Sequence, residues 1–185
     1  MEYGSPELYS HIEKEQEWHK ISENIELATD RLGRPIDKGI KESVIALNAL
    51  GLQTRASCEG HLHHGIKAPW VDVGSIDDEM ASEALSKNLE GSAETEEKRD
   101  KVRRQILLER KNVLDLLDAF YKVRNPLNPV RLIAVFRLGN TRIINQGYGI
   151  QDGLPHGEQS DNLDLFRKEM SSFAEALKER YLADR

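Results

Sequence analysis

The chain has 185 residues, 38% of them apolar and 31% charged, with a formal charge of −6 and a single cysteine. That length suits one domain with a core of its own, and the negative balance argues against non-specific binding to nucleic acid or to an anionic membrane. One cysteine excludes an intramolecular disulfide, no apolar run approaches the length of a membrane span, and no leader pattern opens the chain, so a cytoplasmic protein is expected.

Residues Pro6–Asp30 are heavily charged, with Leu8, Ile12, Ile21, Ile25 and Leu27 as a thin apolar stripe, which predicts a surface helix broken by the turn "RLGRP". Residues 1–33 therefore form a peripheral helical segment of a single domain spanning 1–185. A second helix is expected over Pro35–Leu50, where proline suits the first turn and Gly51 the end, with Ile36, Ile40, Val44 and Leu47 along one face.

"LQTRASC" then reads as a strand, with Leu52, Thr54, Ala56 and Cys58 on one side and Gln53, Arg55 and Ser57 on the other. After a polar loop, "PWVDVG" is a second strand in which Trp70 and Asp72 share a face. A short helix follows over Ile76–Leu89. Ser92 is placed to cap a long one, whose first turns hold Glu94, Glu96 and Glu97 and whose buried stripe is Val102, Ile106, Val113, Leu117 and Phe120. "NPLNP" ends that helix.

"VRLIAVFRL" is the clearest strand in the chain, and Gly139-Asn140 turns it back into "TRIINQ". A turn-rich stretch, "GYGIQDGLPHGEQSD", leads to a last helix over Asn162–Tyr181 with Phe166, Met170, Phe173, Leu177 and Tyr181 on its apolar face. The sum predicts an α+β fold: one four-stranded mixed or antiparallel sheet packed by several helices, one of them long. A single sheet is expected because a lone hairpin is only marginally stable.

The chemistry concentrates in "ASCEGHLHHG", which holds the only cysteine and three of the six histidines. Cys58 and His61 have the spacing at which a thiolate and an imidazole converge from one turn, and Gly60 and Gly65 allow the bends this requires. His63, His64 and the distant His156 are further metal ligands, and Glu59 or Asp72 could complete the set. A divalent metal such as zinc, held by three protein groups, would leave a position for chemistry on a small polar or phosphorylated substrate.

The same residues allow a thiol enzyme, with Cys58 as nucleophile, His61 or His63 as base and Glu59 or Asp72 orienting it. A third reading packs Cys58 inward as a small hydrophobe and leaves the histidines in solvent. Arg55, Ser57, Gly60 and Asp72 are candidate ligand-binding residues beside the loop. Arg131, Arg137 and Arg142 could grip an anion along the sheet, although pairing with surface acids is the simpler role.

The segment "ALNALGLQTRASCEGH", continued by "PWVDV", resembles a pattern in small bacterial and phage proteins of unassigned function. The matching residues are Gly51, Thr54, Ser57, Cys58, Gly60 and His61, and the likeness runs over Pro35–Gly74. It implies that the loop is a recurring site and brings no activity with it. Ser57, Cys58, Gly60 and Trp70 are also similar to the outline of the wybutosine-pathway tRNA methyltransferases, which would imply S-adenosylmethionine and tRNA; His61 departs from that outline, where arginine is expected.

A non-enzymatic alternative uses the sheet face, or the long helix from Ser92 to Val123, to engage a small-molecule ligand or a protein partner, a homodimer included. The charged faces of that helix make no clean heptad seam.

Overall fold

The computed structural model describes residues 6–30, 32–86 and 93–183. Its elements in chain order are α1 (Pro6–Leu27), α2 (Lys41–Ala49), β1 (Thr54–Cys58), β2 (Trp70–Val73), α3 (Asp78–Leu85) and α4 (Ala93–Tyr121). They are followed by β3 (Leu132–Phe136), β4 (Thr141–Asn145), a 3-10 helix (Gln146–Gly153) and α5 (His156–Ala183). The strands form one four-stranded sheet in the order β1-β2-β4-β3, antiparallel at every pairing. The α+β expectation holds, and of its two sheet types the antiparallel one is adopted. Short connections join β1 to β2 and β3 to β4, and such connections cannot make the crossover that parallel strands need.

Two helix starts differ from expectation. α2 begins at Lys41; ahead of it Pro35 bridges Thr29, and a turn over 37–40, closed by the Ile40 N–H on the Asp37 carbonyl, stands in place of the first helical turn. Its N-cap, Ile40, offers no side-chain hydrogen bond, and the groups ahead of it are engaged elsewhere. α5 begins at His156, six positions before the expected Asn162, and most of the preceding turn-rich stretch winds into the 3-10 helix. Asp77 caps α3 by accepting the Met80 N–H at 2.8 Å. The expected cap at Ser92 and helix end at Leu89 lie outside the described residues.

One face of the sheet carries the core. Val71, Val73, Leu132 and Ile143 meet Val44 and Leu47 of α2, Val113 and Phe120 of α4, and Met170 and Phe173 of α5. The edge strand β1 contains a bulge between Thr54 and Ala56: Thr54 pairs with Val73, but Ala56 pairs with Asp72 and Cys58 with Trp70. Directly paired antiparallel residues point to the same side of a sheet. The extra residue therefore carries Ala56 and Cys58 away from the core-facing side that Thr54 occupies. Unbroken alternation would have placed Thr54, Ala56 and Cys58 together. Cys58 ends half-buried at the strand's tip.

The opposite face carries a second, smaller apolar cluster, in which Trp70, Ile133, Val135 and Ile144 pack with Ala68 and Phe166, together with a buried ion pair. Asp72 accepts from Arg142 Nε and Nη2, both at 2.7 Å, with both residues buried, and the Arg142 guanidinium lies 3.6 Å over the Trp70 ring centre. This bidentate pair occupies both oxygens of Asp72, while the Arg137 guanidinium stands 3.9 Å away. Arg131 lies over the Tyr121 ring. Removing one partner of such a pair leaves an uncompensated buried charge. Asp72→Ala should therefore lower the unfolding free energy by about 3–5 kcal/mol, whereas Asp72→Leu combined with Arg142→Met should lose much less; urea unfolding of the two variants measures both.

Candidate functional site

The loop after β1 leaves the strand through a bend at Gly60, whose φ is +78°. A side chain there is excluded twice, since a Cβ would be strained in this region and would lie 2.6 Å from the Ala68 carbonyl carbon. The bend turns the chain so that the Gly60 N–H points back to Cys58 Sγ at 3.4 Å, and the His61 N–H meets the Ile66 carbonyl at 3.4 Å. His61 is thereby aimed to the same side as the thiol.

A third group arrives from the turn ahead of α2. Asp37 Oδ2 accepts the Glu59 N–H at 3.1 Å and stands 3.5 Å from His61 Nε2. In return, Glu59 Oε2 accepts the Gly39 N–H at 2.8 Å. The two segments thus exchange hydrogen bonds, each side chain satisfying the other's backbone. From α5, Arg167 donates to the Glu59 carbonyl at 3.0 Å and the Gly60 carbonyl at 2.7 Å, with the Glu59 carboxylate 3.7 Å from its Nη2.

The result is that Asp37, Cys58 and His61 each present a ligand atom within 4.8 Å of the others. All three line a cleft of about 530 Å³, together with His64, Arg55 and Ser57 and, on the opposite wall, Ile25, Thr29 and Arg34. Asp30 shapes that wall by accepting the N–H groups of Leu32 and Arg34 at 2.8 and 2.9 Å.

Several residues expected to share the site stand apart from this cluster. His63 stacks on His156, ring centres 5.6 Å apart, and both are exposed and outside the converging group. His64 lines the cleft but stacks on His61 at 4.3 Å with the planes 17° apart, and it is not one of the converging donors. Glu59 is a brace whose carboxylate is taken by Gly39 and Arg167. Asp72 is taken by Arg142, and Arg55 donates to the Ile76 carbonyl at 2.9 Å and to Asp78 at 3.3 Å while still bordering the cleft.

Asp37 and Arg167 were not among the residues expected at the site. Asp37 carries a signal in "RPIDKG", where an acid between proline and glycine suits a turn, but the helical reading of Pro35–Leu50 absorbs it. Arg167 has none, because its partner is 108 residues away along the chain.

Asp37, Cys58 and His61 lie close enough together to hold a metal ion. Burial pushes the Cys58 thiol above its ordinary value; the Gly60 N–H opposes this, and the neighbouring Asp37 carboxylate adds to the rise. A thiol set beside a carboxylate keeps its proton until a positive charge is placed between them. No protein-family model, no curated protein and no solved structure matches the chain.

The raised thiol has a consequence of definite sign. The folded chain holds this proton more tightly than the unfolded chain, so the stability it contributes is present below the ordinary thiol range and fades as pH rises through the folded value. Without metal, iodoacetamide at about pH 8 should modify Cys58 more slowly than it modifies the urea-unfolded chain, and Asp37→Asn should speed the folded reaction. Mass spectrometry of timed samples reads both rates.

Proposed function

We propose that this chain is a metal-dependent protein whose divalent ion is held by Asp37, Cys58 and His61 on the floor of the cleft. The observation that carries the reading is the convergence of carboxylate oxygen, thiol sulfur and imidazole nitrogen within 4.8 Å. Ligands around zinc stand about 2.0–2.3 Å from the ion, hence roughly 3.5 Å from each other, so small side-chain rotations would close the set.

The donor types favour zinc. Thiolate and imidazole are the groups that prefer it to magnesium or calcium, and one carboxylate with one thiolate balances a double positive charge. The shell around the donors supports the same reading. The Glu59 N–H orients Asp37, and the Gly60 N–H donates to the sulfur, which eases charge on a thiolate.

Three protein donors and an adjoining cleft suit a catalytic site better than a structural one, which usually closes with four. When bound, the ion would supply Lewis acidity to a substrate oxygen or to water, and a hydrolytic reaction is the reading we adopt. Arg34 and Arg55 border the cleft with Thr29 and Ser57, a lining suited to a small polar or phosphorylated substrate. A reducing, cytoplasmic compartment would keep the single thiol available to the metal.

Protein purified without added metal and then dialysed against zinc should retain one equivalent. Asp37→Asn, Cys58→Ser and His61→Ala should each weaken retention by roughly 100-fold or more, while His63→Ala and His156→Ala should leave it unchanged. Cobalt should give a thiolate charge-transfer band that Cys58→Ser abolishes. Less than one equivalent in the wild-type chain, or retention indifferent to the three substitutions, would remove the proposal.

A further inference from the structure

α4 buries one face and leaves another bare. Ile106, Val113, Leu117 and Phe120 are in the core, whereas Leu107, Leu108 and Leu114 are 62%, 53% and 46% exposed. These leucines share an outer strip, at helical spacing, with Asp100, Arg104, Lys111, Asp115, Asp118 and Lys122, all exposed.

The order of charges along the strip is not random. Arg104 lies before the leucines and Asp118 after them, while Asp100 and Lys122 stand further out with the signs reversed. A second copy of the helix laid antiparallel, with the two-fold axis at Lys111, sets each position before the axis against the equidistant position after it. Arg104 then meets Asp118 of the second copy, and Asp100, which also holds Arg103 of its own helix at 2.7 Å, lies opposite Lys122, one residue past the end of α4. By that rule Leu108 stands opposite Leu114 and Leu107 opposite Asp115, whose charge Lys111 holds; Leu107 is one position from Leu114 of the second copy and reaches it on one side of the axis, and the symmetry repeats that contact. Lys111 would face itself, but Lys111 Nζ already lies 2.5 Å from Asp115 Oδ2 on its own helix. The centre of the pair is therefore an alternating ring of charges and carries no bare repulsion. A parallel arrangement would set Arg104 beside Arg104 and Asp118 beside Asp118.

We infer that the outer face of α4 is the interface of an antiparallel, two-fold symmetric dimer of this chain. The occupant is a second copy because the strip is complementary to itself: an isologous patch must pair its residues with others of the same patch, and here Arg104 finds Asp118, leucine finds leucine, and the Lys111–Asp115 pair at the axis neutralises its own charge. A strict heptad is not needed, since the contact is centred on a few turns of the helix and does not run as a long supercoil. The inference is independent of the metal site.

Light scattering on eluting protein at roughly 100 µM should give twice the 21.0 kDa chain mass. Leu107→Glu and Arg104→Asp should each raise the dissociation constant at least tenfold or so, and adding Asp118→Arg to Arg104→Asp should restore the dimer. Lys111→Cys should form a disulfide with its own counterpart in the second copy on mild oxidation, identified by peptide mass spectrometry. A monomer throughout that concentration range would overturn the inference. So would a dimer that survives both Leu107→Glu and Arg104→Asp, because it would be built on another surface. These positions are exposed, so circular dichroism of each variant should match the parent; a variant that dissociates and keeps that spectrum supports the interface.

Discussion

The exchange of hydrogen bonds between Asp37 and Glu59 is the constraint on which the site depends. Asp37 sits ahead of α2 and Cys58 at the tip of β1, and nothing in the local backbone requires the two to meet. The Glu59 N–H on the Asp37 carboxylate and the Gly39 N–H on the Glu59 carboxylate join them at 3.1 and 2.8 Å. The exchange is a spatial analogue of the box by which a helix start satisfies its own free donors, with a loop in place of the helix's first turn. Its cost is visible in α2, which starts late and has no side-chain cap. A turn of helix is given up so that a carboxylate can face a thiol.

Two departures from regular backbone complete the construction. The bulge in β1 moves Cys58 from the core-facing side of the sheet to the other, and the left-handed bend at Gly60 swings His61 in the same direction. Edge strands tolerate bulges because only one neighbour must adapt, and bulges are common where a side chain has to be re-aimed. Arg167 then ties the loop to α5 through two carbonyls, so the bend is anchored to a helix residue 107 positions away along the chain. Backbone, and not side-chain length alone, aims the donors.

Charge is divided between separate tasks across the sheet. The Asp72–Arg142 pair under Trp70 is fully satisfied within the fold, and a site needs groups that are not. Asp37, Cys58 and His61 retain capacity for a ligand, beside a cleft whose rim carries both signs of charge. Among the described residues no helix is long and apolar enough to cross a membrane, and the exposed leucines of α4 lie among charges of both signs.

The element order, the α+β class and the core stripes of α4 and α5 follow from the sequence itself, because apolar periodicity records which face of a helix or strand leaves water. The Ser-Cys-Glu-Gly-His loop was legible for a similar reason: reactive residue types crowd around a glycine that only a bend requires. Which residues share the site was decided by tertiary structure. Asp37 looked like part of a helix until Glu59 claimed it, Cys58 looked core-facing until one extra residue in β1 reversed the alternation, and His63 and His156, expected beside Cys58, stack on each other outside the converging group. Each turns on a contact between segments distant in the chain or on a change of one residue in register. A period of two or of 3.6 is blind to both, since it counts along one strand or helix and carries no information about what that element will meet.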